Sequence, residues 1–580
     1  MTSKLLRWPP GSALAALGLL IWGGGCGGRS IAPELVLSNA RVLTLDSTDR
    51  RFTTIAIGGG RVLALADSTD PAWLASRPEV IDLAGAVVAP ALSDHHVHLF
   101  NLGMALLNQR DGGRLALDLS ALHSLAAVDS LLRARVAGSP GKSWILGAGW
   151  NQASWGSQEL PSSAVLSRAA PDNPVFFART DGHAGWVNAA ALAAAGVNRT
   201  TGDPEGGRLV RLASGEPSGI LLERANELLA ARLPAPADSD VVTAYRLAAL
   251  ALAERGVAEV YDAGPLLYPG VVALNLDFGR YLALLLRADS IAPLPLRINL
   301  MIPAPSRLAD SLLEGAGAVT LSPRIRITHL KLFADGALGS RGAALSQPYA
   351  DDSTTSGVAR LTAEQITALG RRGLDRGLGV AVHAIGDEAV GRTLAAFEAL
   401  LRERPGLNPR RLRIEHFSYA REPDFARAAR LGVLLSVQSN FNALPGDSPS
   451  LGDLRVGPAN EPRVYNWARL HELQAALAEG SDYFSAPGAP LLGFSATLER
   501  KRAVGQGLPD SLARRIAYGM NAVRFGPDGK PAGGRIAIGA PADLVAWSLD
   551  PLSAPRAALA GAGVVLMVNA GRVVWRARGS

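Results

Sequence analysis

Only nine histidines occur in 580 residues, and four of them fall where an apolar run ends. His96 and His98 form a His-x-His pair within Asp94-His95-His96-Val97-His98. Alternate side chains of a strand share a face, so these two imidazoles project together and can grip one metal ion. His383 ends the run before Ala384-Ile385-Gly386-Asp387, His416 ends Ile414-Glu415-His416, and Asp482 ends Gly480-Ser481-Asp482. Singly, each reads as a hydrogen-bonded structural residue. Together, four histidines and an aspartate at the ends of successive runs read as a divalent-metal site. Cys26 is the only cysteine, which excludes an intramolecular disulfide and a thiolate zinc site.

The elements that must hold these residues alternate apolar strands with helical stretches, the pattern of parallel βαβ units. Strands are expected over 86–92, 257–262, 296–302, 325–333, 379–383, 412–416, 433–438 and 477–482. Eight of them predict an α/β fold, a (β/α)8 TIM barrel with its active site at the carboxyl ends of the strands. The interval from the first strand to the second is too long for one crossover helix, so 105–234 is expected to be an insertion. Alternating runs at 35–45 and 54–66, and at 534–538, 543–547 and 564–574, predict short antiparallel strands at both ends of the chain. They would pair into a small composite β-sandwich domain. The expected division is a signal peptide at 1–25, sandwich at 34–85, barrel at 86–528 and sandwich again at 529–577.

Residues 1–30 run from Lys4 and Arg7 through an apolar segment to Gly23-Gly24-Gly25-Cys26-Gly27. A basic start, a segment too short to span a bilayer and then small residues make a signal-peptide layout. The small residues before Cys26 resemble a bacterial lipobox, apart from Gly23 where an aliphatic residue is usual. That implies export, lipid attachment at Cys26, and a periplasmic or cell-surface location on a bacterial membrane. A plain secretory signal with an incidental cysteine is the alternative. Hydrophobic residues at 48% and charged residues at 19% exclude a disordered chain. The net charge of +7 is scattered, with no basic stripe, which argues against nucleic acid as partner.

Beyond the signal, the chain resembles the amidohydrolase superfamily, and within it the amidohydrolase family 3 branch that includes N-substituted formamide deformylases. The resemblance rests on Ser93-Asp94-His95-His96-Val97-His98; Gly149-Trp150-Asn151-Gln152; Arg179-Thr180-Asp181-Gly182-His183-Ala184 with Trp186-Val187-Asn188; Lys331 through Arg341; and Val382 through Asp387. It implies that His96, His98, His383 and His416 are metal ligands, and that Asp482 is a ligand which also takes the proton of the attacking water. Lys331 ends the fourth strand, where the superfamily often has a lysine carboxylated to bridge two metal ions. A salt bridge to Asp335 or to a substrate anion is the other reading of Lys331, and His329, two residues earlier, is a competing ligand or a partner of one. The implied cofactor is one or two divalent ions, zinc first, which lower the pKa of bound water to about 7. The implied reaction is hydrolysis of a non-peptide C-N bond in a small amide, formamide or cyclic amide. Ester or lactone hydrolysis on the same site, or a non-catalytic lipid-anchored binding protein, are the alternatives, and homo-oligomerisation is left open.

Asp181 and His183 suit a loop touching substrate, or a turn stabilised by Asp181. Asp335 and Arg341 would bind a polar substrate group or form salt bridges, and Trp150 and Trp155 would line a pocket or pack inside the insertion. Two departures from the family point to a different pocket. Gln438-Ser439-Asn440-Phe441 stands where relatives tend to have Gln-Pro-x-His, and Tyr483-Phe484 follows Asp482 in place of Ala-Pro.

Overall fold

The computed structural model describes residues 31–577, apart from 47–49, 158, 316, 440, 442–453, 483–509, 527 and 560. The signal segment, Cys26, Asn440 and the Tyr483-Phe484 pair lie outside the described residues. Among those described, no helix is long and apolar enough to cross a membrane.

The expected (β/α)8 barrel is present. Its strands are Leu92–Val97, Val257–Asp262, Arg297–Pro303, Ile325–Phe333, Gly379–Ala384, Leu412–His416, Leu434–Val437 and Ala476–Glu479. They run parallel, each paired with its neighbour in chain order. Helices cover the outside, so a strand such as Gly379–Ala384 is buried on both faces and reads as an almost unbroken apolar run. The eighth strand returns to the first through the Asp482 N–H, which donates to the His96 carbonyl at 2.6 Å. Gly480 permits this approach, because a Cβ there would lie 2.5 Å from the His96 Cβ. Asp94 completes the closure by accepting the Ser481 N–H at 2.9 Å and the Ser481 hydroxyl.

Between the first and second barrel strands stands a six-stranded sheet, in spatial order Gly207–Arg211, Pro217–Glu223, Ala184–Val187, Val175–Arg179, Ile145–Trp150 and Leu117–Asp118. Trp150 and Trp186 are fully buried in its own core and Trp155 packs on them. The tryptophans thus pack inside the insertion, the second of the two expectations for Trp150 and Trp155.

The termini form two facing sheets. One orders Arg61–Ala66, Thr54–Gly58, Leu35–Ser38 and Glu79–Asp82, the other Arg572–Arg576, Val564–Asn569, Leu544–Trp547, Val87–Pro90, Arg41–Leu43 and Arg51–Phe52. Leu37, Ile55, Ile81, Val88, Leu544 and Val568 share the core between them. Two expectations change. The run 86–92 is not the first barrel strand: Val87–Pro90 pairs with Leu544–Trp547 and Arg41–Leu43, so the sandwich reaches Pro90 and the barrel begins at Leu92. An uninterrupted apolar run carries no periodicity to say which sheet it joins. The stretch 534–538 forms no strand, although Ile536 enters the sandwich core.

Sandwich and barrel are locked by a buried ionic cluster. Asp543 accepts Arg297 Nη1 and Nη2 at 2.9 and 3.0 Å and also receives Arg524 Nη1, while Arg297 Nε donates to Glu259 at 2.9 Å. Burial opposes the Asp543 charge, but the two guanidiniums outweigh it and hold the carboxyl well below the usual carboxylate range. A depressed carboxylate stabilises the fold above its unfolded pKa, and that contribution is lost as pH falls through the folded value. Asp543→Asn, which leaves two buried guanidiniums short of their counter-ion, should therefore cost about 3–5 kcal/mol at neutral pH. Urea denaturation should show this deficit shrinking on acidification; a cost independent of pH would contradict the ionic account.

Candidate metal centre

The carboxyl ends of the barrel strands gather His96, His98, Lys331, His383, His416 and Asp482 around one small cavity, which Asp181 and His183 of the insertion also line. Strand alternation would set Glu415 and His416 on opposite faces. Left-handed backbone at His416 (φ 80°) ends that alternation, and its imidazole meets His96 with ring centroids 4.8 Å apart. Asp482 is likewise left-handed (φ 50°). Such backbone in non-glycine residues is costly and concentrates at functional sites.

Three histidines share one arrangement. His96 Nδ1 lies 2.6 Å from Glu415 Oε2, His98 Nδ1 is 2.6 Å from the Gly264 carbonyl, and His416 Nδ1 is 2.6 Å from Gln438 Oε1. An acceptor on Nδ1 fixes the tautomer that leaves the Nε2 lone pair for a ligand bond. His96 Nε2 and His98 Nε2 stand 3.6 and 3.5 Å from Asp482 Oδ1. Ligand atoms of His96, His416 and Asp482 all lie within 4.8 Å of one another. This donor set fits a divalent ion. His383 differs, because its Nε2 faces the Gly336 carbonyl at 3.3 Å and Asp335 Oδ1 at 3.6 Å, while its ring packs 4.4 Å from that of His416. Lys331 Nζ is 3.4 Å from His96 Nε2.

Burial, then neighbouring positive charge, pushes His98, His383 and His416 well below the usual imidazole value, so all three are neutral donors. Burial also lowers Lys331 to about 8 against the pull of Glu415 and Asp482, and raises Asp482 against that of His96 and Lys331. Glu415 stays ionised despite complete burial, because Arg413 donates Nε to it at 2.9 Å and His96 binds its other oxygen.

The insertion plugs into the loop after the fourth strand. Asp181 accepts Arg179 Nη1 at 2.5 Å and the His183 N–H at 3.1 Å. His183 Nδ1 lies 2.8 Å from Glu223 Oε2, which also accepts Arg360 Nη1 at 3.2 Å. Three glycines of Gly336-Ala337-Leu338-Gly339-Ser340-Arg341-Gly342 are sockets for these side chains. A Cβ on Gly336 or Gly342 would lie 1.7 or 2.3 Å from Glu223 Oε1, and one on Gly339 would lie 2.6 Å from Arg179 Nη1.

Three candidates sit elsewhere. Asp335 does not line the cavity; its carboxylate accepts the backbone N–H groups of Ala344, Ile385 and Gly386 at 2.8–3.0 Å and so ties the fourth-strand loop to the fifth. Arg341 also lies off the cavity, paired with Asp351 at 2.9 Å. His329 faces a different cavity, at the amino-terminal mouth of the barrel, with its Nδ1 2.9 Å from Thr328 Oγ1. Sequence reasoning gave no role to Glu415, Gln438 or Glu223. Glu415 carried a signal, since Arg413 and Glu415 share a strand face two residues apart, whereas Glu223 is one acid after an apolar run. Gly336→Ala should drive Glu223 from its socket and cost roughly 1–3 kcal/mol in urea denaturation, with metal content unchanged; an unmoved midpoint would refute the socket.

With the geometry in view, the comparisons with known proteins agree with it. The profile of the Amidohydrolase family matches residues 79–575. The putative amidohydrolase YtcJ of Bacillus subtilis (strain 168) is 31% identical over 504 residues, 86% of this chain and 90% of that one. The N-substituted formamide deformylase of Arthrobacter pascens is 26% identical over 412 residues, 69% of this chain and 72% of that one. An uncharacterized metal-dependent hydrolase from Pyrococcus horikoshii OT3 shares the fold with a TM-score of 0.66 at 26% identity, across 90% of this chain and 99% of that one. A match that runs from the sandwich through the whole barrel, on a chain whose strand ends gather histidines and an aspartate, means that this protein belongs to the amidohydrolase family.

Proposed function

We propose that this metal-dependent hydrolase cleaves a non-peptide C-N bond of a small amide, formamide or cyclic amide. The observation that carries this reading is the set of three histidines anchored through Nδ1 around Asp482. His96, His98, His383, His416 and Asp482 would hold the metal, zinc in one or two copies. When bound, such an ion acidifies water and polarises the scissile carbonyl. Asp482 takes the proton of the attacking water and returns it to the leaving nitrogen, so that water and amide become acid and amine. Its burial suits it to hold that proton in between.

Lys331 is read as the carboxylated bridge. Burial pulls its amine down to about 8, and the neutral amine is the form that adds to carbon dioxide, losing a proton to give a carbamate. Asp181 and His183 border the same cavity and would contact the substrate. The name of the formamide deformylase relative supports C-N over ester chemistry. Export, with lipid on Cys26, belongs to the same proposal and rests on the layout of residues 1–30.

Elemental mass spectrometry on protein lacking its first 26 residues should find one or two equivalents of zinc, lost in His96→Ala. Asp482→Asn should lower kcat on formamides, N-acyl amino acids or cyclic imides by about 10²–10⁴-fold. Protein that stays inactive on all three classes after zinc and bicarbonate are supplied would refute the hydrolytic reading.

A further inference from the structure

The amino-terminal mouth of the barrel, opposite the metal centre, holds a second pocket, small and partly open to solvent. Arg410, Arg411 and Arg413 line it beside His329, Asn299 and Phe525. Arg413 is 1% exposed. Its Nε and Nη2 are taken by Glu415 and the His95 carbonyl at 2.9 and 2.7 Å, but its buried Nη1 has no partner. Arg411 donates Nη2 to the Gly377 carbonyl at 2.6 Å, while its buried Nε has no partner either. Arg410 lies over the Phe525 ring, 5.6 Å from its centroid.

Among the described residues Arg413 is balanced by Glu415, but no carboxylate pairs with Arg410 or Arg411. Glu415 is already shared between Arg413 and His96, and Glu259 is bound by Arg297 and Asn299. Asp528, the remaining acid felt by Arg411, is solvent-exposed. Burial, then the neighbouring Arg404, lowers the Arg411 guanidinium from its ordinary value against the pull of Asp528. A water molecule in the cavity would satisfy an N–H but leave that charge in place.

We propose that the amino-terminal mouth of the barrel binds a small oxyanion of the sulfate or phosphate type, with Arg413 Nη1 and Arg411 Nε as its donors and Arg410 at the rim. Guanidinium N–H groups facing an oxyanion make the stronger, charge-assisted class of hydrogen bond. Through Arg413, Glu415 and His96 the anion would stand at one end of a continuous hydrogen-bonded chain whose other end is the metal centre.

The test is calorimetric titration of sodium sulfate into the metal-loaded full chain at fixed ionic strength. One saturable site is expected, weakened about tenfold or more in Arg411→Gln and in Arg410→Gln, and retained in Asp482→Asn. Arg410 is partly exposed, so its variant carries the comparison if Arg411→Gln fails to fold. No saturable heat, or an affinity that neither arginine variant changes, would overturn the proposal. So would binding lost in Asp482→Asn but kept in the arginine variants, which would put the sulfate on the metal centre.

Discussion

Glu415 has no exposed surface, and its charge is tolerable only because Arg413 grips one oxygen and His96 the other. An ionised carboxylate without partners would be expensive inside a barrel. Here the partners make it a fixed strut. It turns the His96 ring, sets its tautomer, and connects the middle of the barrel to the metal centre. The neighbouring His98 and His416 pack against the ring so held, with centroids 5.6 and 4.8 Å away. The His98 and His416 rings are held in the same way by neutral acceptors, Gly264 and Gln438, and Asp482 is brought to them by the same backbone contact that closes the barrel.

The insertion supplies the other wall of the cavity by docking side chains into glycine sockets. Glu223 and Arg179 reach the loop after the fourth strand, where any Cβ on Gly336, Gly339 or Gly342 would occupy their space. The glycines there serve a meeting of two separate units. Glu223 accepts the strain of left-handed backbone (φ 52°) at the same point, which fits a residue that must aim at His183 and Arg360 together. Docking of this kind positions Asp181 and His183 at the cavity wall.

At the other end, the sandwich is joined to the barrel by charge as well as by apolar contact. Arg297 of the third strand and Arg524 meet Asp543 of the sandwich, with Glu259 behind. The sandwich is assembled from chain segments some 450 residues apart in sequence, such as Val87–Pro90 against Leu544–Trp547. Its contact with the barrel base holds both termini of the catalytic unit in one place.

The sequence by itself determined the barrel and the metal-dependent hydrolase family. His96 and His98 show their common face by strand alternation, and the other candidate ligands mark the ends of runs whose apolar character already says they are buried on both sides. Only the tertiary structure decided which residues those ligands lean on. Glu415 meets His96 across 319 positions and Glu223 meets His183 across 40, and no local pattern encodes such pairs. The same limit moved Val87–Pro90 from barrel to sandwich, since an apolar run names its burial but not its partner strand. It moved Asp335, Arg341 and His329 away from the cavity too. Local periodicity reports the direction a side chain leaves its own strand, whereas the atoms it meets are set by how distant segments pack.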